Sequence, residues 1–134
     1  MTSDDLVAAV AALHREAALL YAEIARDFEL TSQQTQLLCT LAQRPSFSGL
    51  AATLGCDKTN VTGMVDRLEK RGLLAREQDS KDRRINRVVL TEAGEELRDR
   101  IRQRFASSVT DRFAHLTSED RARYAALAAV LGER

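Results

Sequence analysis

A chain of 134 residues suits one domain and can bury a hydrophobic core without disulfide or metal staples. Its 20 lysines and arginines are balanced by 20 aspartates and glutamates, so the overall charge predicts no polyanionic partner. No apolar stretch is long enough to span a membrane, the acidic opening "MTSDDLVAAV" is unlike a signal peptide, and two cysteines without a CxxC suggest no disulfide framework; together these read as a cytoplasmic protein.

Helical periodicity opens the chain. Leu6, Val10, Leu13, Ala17, Leu20, Ile24 and Phe28 recur at steps of three and four, the apolar stripe of a long amphipathic helix. Thr2 or Ser3 would cap it, with Asp4 and Asp5 at the favourable end of its dipole. "LTSQQTQLLCTLAQRP" predicts a second helix that starts in a capping box of Thr31 and Gln34 and is bounded by Pro45. "FSGLAATLG" predicts a short third helix closed by Gly55, and "CDKTNVTGMVDRLEKRG" a fourth, capped by Asp57 and ended by Gly72.

The period then changes. "LLAREQ" and "RVVL" are strand-like runs joined by the polar, cationic "DSKDRRIN", the pattern of a hairpin with a long loop. Thr91 caps a fifth helix with the stripe Leu97, Ile101, Phe105, Val109 and Phe113. Thr117 opens a sixth carrying Tyr124, Leu127 and Leu131, and His115 falls in the turn before it, where exposure is expected.

A short helix, a tight turn through Gly55 and a capped helix read as a helix-turn-helix unit, and the hairpin after it as a wing. The expected fold class is mainly α: a winged helix-turn-helix with a small β-hairpin wing over 30–91, and a helical dimerisation part over 1–29 and 92–134. The charge distribution agrees with a nucleic-acid role for the first part. Between Asp57 and Thr91 nine cations stand against six anions, a local +3 within a neutral chain.

At 100° per residue, Val61, Met64, Val65 and Leu68 of the fourth helix fall on a core face. Thr59, Thr62, Gly63, Asp66 and Lys70 fall opposite, with Lys58 and Asn60 flanking the start. Short hydroxyl and amide side chains there can reach base edges, while the helix N-terminus favours phosphate. Read alone, this face would be an ordinary solvated surface; the turn before it and the wing after it favour DNA. Lys81, Arg83 and Arg84 of the wing suit a narrow, negative groove, the plainer alternative being a charged tip that keeps an edge soluble. Asp82 would repel DNA by itself, so it is expected to pair with an arginine and hold the wing. Arg67 and Arg71 are candidates for phosphate contacts or for pairing with Asp66 or Glu69.

In three pieces the chain resembles the MarR family of winged-helix transcription regulators. "LTSQQTQLLCTLA" is similar to the family's second helix, and "LAATLGCDKTNVTGMVDRLEKRGLLARE" to its helix-turn-helix and first wing strand. "DRRINRVVLTEAG" carries its wing signature at Asp82, Arg84, Leu90 and Thr91. The resemblance implies a homodimer on a pseudo-palindromic double-stranded operator, with the fourth helix in the major groove and the wing in the adjacent minor groove. It implies a repressor released by a small phenolic or anionic effector, or by oxidation of a cysteine, and no cofactor or metal. Gly63 departs from the family, where an arginine is common.

His14, Arg15, Tyr21, Thr35 and Cys39 could line an effector pocket where the first two helices meet the fifth, or could be dimer contacts. Cys56 lies beside the N-cap of the fourth helix, where the dipole favours an oxidisable thiolate, though the family carries a small packed residue at that place. A redox-responsive regulator is therefore one alternative, and a winged helix used for protein contacts is another. Nothing supports an enzyme: His14 and His115 lie far apart, and neither a glycine-rich phosphate loop nor metal-ligand spacing is present.

Overall fold

Six helices and one antiparallel hairpin account for nearly all the described residues, 1–41 and 44–132, of a computed structural model of the chain. Their order is α1 (Ser3–Asp27), α2 (Ser32–Thr40), α3 (Phe47–Leu54), α4 (Lys58–Lys70), β1 (Leu74–Gln78), β2 (Asn86–Leu90), α5 (Glu92–Arg112) and α6 (Ser118–Gly132). The expected fold class is the one observed: mainly helical, with a two-stranded wing directly after a helix-turn-helix.

Local chemistry sets most boundaries. Thr2 caps α1 in a full capping box, its hydroxyl accepting the Asp5 N–H while the Asp5 carboxylate accepts the Thr2 N–H. Thr31 and Gln34 close the same box at α2, both bonds at 3.0 Å. Gly55 and Gly72 take left-handed φ values of 67° and 76° after α3 and α4, a conformation that costs glycine nothing. The α1–α2 corner achieves the same turn with Glu29 at φ 56°.

One boundary differs from expectation. The second helix stops at Thr40, well before Pro45, and the expected continuation through Ala42 and Gln43 lies outside the described residues. The chain around Pro45 has another use. The Pro45 carbonyl accepts the Val88 N–H at 2.9 Å and Ser46 bridges to Arg87, so this segment runs beside β2 as a third, short edge. A proline favours extended backbone before it and cannot itself donate to a ladder, which suits this edge and not a helix end.

The core sits where the helix-turn-helix meets the end of α1 and the middle of α5. Ile24, Leu37, Leu38, Leu50, Val61, Val65, Leu68, Leu74, Val88 and Ile101 are fully or almost fully buried. In register, Leu74 faces Leu90 and Arg76 faces Val88 across the sheet. The stripe of the first helix divides: Ile24 is buried, whereas Leu6 and Val10 are 57% and 66% exposed. In α5, Ile101 is buried and Leu97 and Phe105 pack against the core, but Val109 is exposed. No residue of α6 is buried.

α5 is joined tightly to the winged unit. The Thr91 hydroxyl donates to the Gly72 carbonyl at 2.6 Å and accepts the Gly94 N–H at 3.1 Å, and the Thr91 N–H donates to Leu73 O. Gly94 lies so close to the Leu73 backbone that a Cβ there would overlap the carbonyl oxygen. Farther along, Arg104 donates to Glu23 and Asp27, and Arg112 to Glu16 and Glu23, bracing α5 against α1.

Candidate nucleic-acid interface

The core face of α4 holds Val61, Met64, Val65 and Leu68, all buried, so the opposite face looks outward. The Asp57 carboxylate accepts the Asn60 N–H at 2.8 Å and caps the helix. Lys58, Thr59 and Asn60 are exposed around that first turn, and Thr62 and Gly63 are half-exposed on the next. The Thr62 hydroxyl donates to the Lys58 carbonyl at 2.9 Å, leaving its lone pairs outward. A Cβ on Gly63 would meet only the Arg67 guanidinium, at 3.9 Å. Arg67 thus leans back toward the helix N-terminus over the notch that the glycine leaves, the direction helical side chains favour.

The wing tip is organised by two aspartates. Asp82 accepts the Arg84 backbone N–H and Nε with one carboxylate oxygen and its terminal guanidinium nitrogen with the other, at 3.0 to 3.1 Å. Asp79 accepts the backbone N–H groups of Lys81 and Asp82 with one oxygen and Arg87 Nε with the other. Arg87 also donates to Arg44 O, which turns it inward as a brace at the base of the wing. These contacts hold both carboxyls below their ordinary value, Asp79 chiefly through Arg87 and Asp82 chiefly through Arg84. The same bond raises the Arg84 guanidinium. Lys81 and Arg83 point out beside it, exposed.

Every acid of the 57–91 segment is engaged. Asp57 caps α4, Asp66 and Glu69 meet Arg76, Glu77 meets Arg44, Asp79 meets Arg87 and Asp82 meets Arg84. Arg67 and Arg71 therefore do not pair with Asp66 or Glu69; Arg71 donates instead to the Glu29 carbonyl at 3.2 Å. Among the described residues Lys58, Arg67, Lys70, Arg71, Lys81 and Arg83 have no carboxylate partner. A groove of ≈ 490 Å³ runs between the start of α3, the first turns of α4 and the wing, lined among others by Ser46, Lys58, Thr62 and Arg84. Lys58 and Thr62 of α4 and Arg84 of the wing thus face one groove, which Arg76 also lines.

The residues singled out for an effector pocket separate into two places. Tyr21 and Cys39 share a half-buried junction of α1, α2 and α5 with Phe105, whose ring meets Tyr21 edge-on at 4.8 Å between centroids. Burial, then Cys39, raises the Tyr21 phenol; burial also raises the Cys39 thiol, against the pull of Arg102 and Arg98. Thr35 is buried nearby with its hydroxyl committed to Thr31 O at 3.0 Å. His14 and Arg15 lie about two turns up α1 and are exposed, His14 at the edge of a shallow apolar depression with Leu6, Val7 and Val10. Cys56 is half-buried against the core and donates its N–H to Ala51 O.

Sequence reading missed Arg76, Asp79, Arg98 and Arg102. Asp79 had a local signal: an aspartate opening a turn whose second and third following residues offer N–H groups. The arginines had none, because their partners lie on other elements.

The MarR family model matches residues 30–85. The homoprotocatechuate degradative operon repressor of Escherichia coli is 32% identical over 108 residues, covering 78% of this chain and 73% of that protein. Two further curated regulators match over shorter stretches, and the match spans only 40% and 28% of their length. Among solved structures, a MarR-family regulator from Rhodococcus sp. RHA1 superposes with TM-score 0.83 at 25% identity, covering 98% of this chain and 94% of that one. CouR from Rhodococcus jostii RHA1, bound to p-coumaroyl-CoA, gives TM-score 0.79 at 26% identity over 96% and 92% of the two chains. With its hairpin wing, capped recognition helix and likeness over most of a curated repressor, the chain belongs to the MarR family of winged helix-turn-helix transcription regulators.

Proposed function

We propose that this protein is a cytoplasmic, homodimeric repressor that binds a pseudo-palindromic DNA operator and is released by a small phenolic or otherwise anionic effector. The observation that carries the DNA-binding part is the charge arrangement among the described residues. The six acids of the 57–91 segment are all engaged and leave six of its nine cations without a carboxylate partner, one of which, Lys58, lines a single groove with Thr62 of α4 and Arg84 of the wing. In this reading Lys58, Thr59, Asn60, Thr62, Gly63 and Arg67 lie along the major groove. Lys81, Arg83 and Arg84 reach the minor groove, with Asp82 aiming Arg84.

The dimer rests on where apolar surface is left open. Among the described residues, every exposed large hydrophobic side chain lies between Met1 and Leu19 or between Val109 and Leu131, and none lies in the winged unit. Two-fold pairing of these helices would cover that surface and set two recognition helices against two half-sites. The effector reading draws on CouR with its bound p-coumaroyl-CoA and on the homoprotocatechuate degradative operon repressor. The junction around Tyr21, Cys39 and Phe105, edged by Arg98 and Arg102, offers aromatic contact and positive charge to such a ligand. Selection of genomic fragments on the immobilised protein, followed by footprinting, tests the reading. A protected inverted repeat is the expected result; no enriched fragment would overturn it.

A further inference from the structure

From the first strand of the wing, the Arg76 side chain reaches both the recognition helix and the helix before it. It stands on β1, on the same face as buried Leu74, so it lies at the rim of the core where α4 passes. Its guanidinium pairs with Asp66 and lies 3.7 Å from Glu69, residues three apart on one side of α4. Its carbon also sits 5.3 Å from the centroid of the Phe47 ring, at the first turn of α3.

Asp66 and Glu69 are an oddity for a helix meant to lie against phosphates. Both are exposed, and Asp66 shares its face with Thr59, Thr62 and Lys70. Two uncompensated carboxylates there would repel a polyanion approaching within a few ångströms. Resting on the DNA-binding reading above, we propose that Arg76 is a positioning residue: it draws the two acids of the recognition helix onto its guanidinium and neutralises them, so that they do not repel the DNA backbone. It acts through Asp66 and Glu69, not through a phosphate of its own.

The test is a charge-reversal cycle. Arg76→Gln, Asp66→Asn with Glu69→Gln, and the triple variant are titrated with a labelled 30-base-pair duplex of arbitrary sequence over a series of salt concentrations. At low salt Arg76→Gln should bind about tenfold more weakly than the parent, and removing the two acids as well should bring affinity back to within about twofold. The triple variant should also keep the parental slope of log affinity against log salt. A triple variant that stays weak would overturn the proposal in favour of a purely structural Arg76. One that has lost about 0.9 of the slope per subunit would overturn it in favour of a direct phosphate contact. If Arg76→Gln does not fold, the two-acid variant with Arg76 intact decides: it should bind more tightly than the parent, and unchanged affinity would count against the idea. A parent that ignores duplex DNA at every salt concentration would instead strike down the DNA-binding reading itself.

Discussion

Asp82 grips Arg84 from two positions away, accepting three hydrogen bonds from it, while the arginine side chain remains 90% exposed. An exposed arginine is usually a mobile one, and ordering it on binding costs conformational entropy. Here that ordering is in place before DNA arrives. Arg84→Ala should therefore weaken operator binding strongly without lowering the melting temperature, and should reduce the salt slope by about 0.9 per subunit. Asp82→Ala removes a negative charge yet should also weaken binding, because the arginine loses its aim. Isothermal titration of both variants checks this, and an Asp82→Ala protein that binds better than the parent would contradict it.

Thr62 gives a sharper test of which face enters the groove. With its proton directed at the Lys58 carbonyl, the hydroxyl offers acceptors, which suit the amino groups of adenine or cytosine. Thr62→Ala should cost about 1–3 kcal/mol on the selected operator and little on random duplex. Equal losses on both would place another face of α4 against the bases.

Acid should loosen the wing before the core. The folded-state values of Asp79 and Asp82 are depressed below the ordinary aspartate value of 3.8, so the stability they contribute is present above that value and is lost as pH falls through the lowered ones. The amide signals of Lys81, Asp82 and Arg84 should hold steady from pH 7 to pH 5 and shift only in stronger acid. In Asp79→Asn they should already be shifted at neutral pH and show less change with acid.

Gly94→Ala should be among the most damaging single-methyl additions available. The new carbon would press on the Leu73 backbone, which has no side-chain torsion to yield with. A loss of about 1–3 kcal/mol is expected in denaturant unfolding. A fully stable variant would mean that α5 can slide on the winged unit.

Light scattering should find a dimer at micromolar concentration, and Leu127→Glu should produce a folded monomer. Leu127 is 59% exposed in the single chain, so the substitution should not disturb the core of one copy. A parent that runs as a monomer would leave the apolar ends of α1 and α6 without the partner proposed for them.

What the sequence revealed and what it hid divide along chain distance. Caps such as Thr31, Asp57 and Thr91 act within three residues, so their helices were legible, as was the core face of α4 from its period. The stripe of α1 was legible as a stripe, but periodicity does not say whether the same chain or another copy covers it. The end of α2 was misplaced because Pro45 serves the sheet edge through Val88, 43 positions away. The pairing of Arg76 with Asp66 crosses a turn and a change of element, and Arg87, counted among the nine cations of the segment, is held inward by Asp79 from the opposite strand's end. Charge counts give the number of ions in a segment and not their partners.

The lock between Thr91, Gly94 and the Gly72–Leu73 backbone makes α5 a lever with the recognition helix at its near end. With 21 residues the helix is about 31 Å long, so a tilt of about 5° at the far end would swing the near end by roughly 3 Å. A major groove is only about 12 Å wide, and in the proposed dimer two such levers leaning apart would double the displacement. Anything that wedges the braces of Arg104 and Arg112 against α1 would then be felt at the bases as a change of stride.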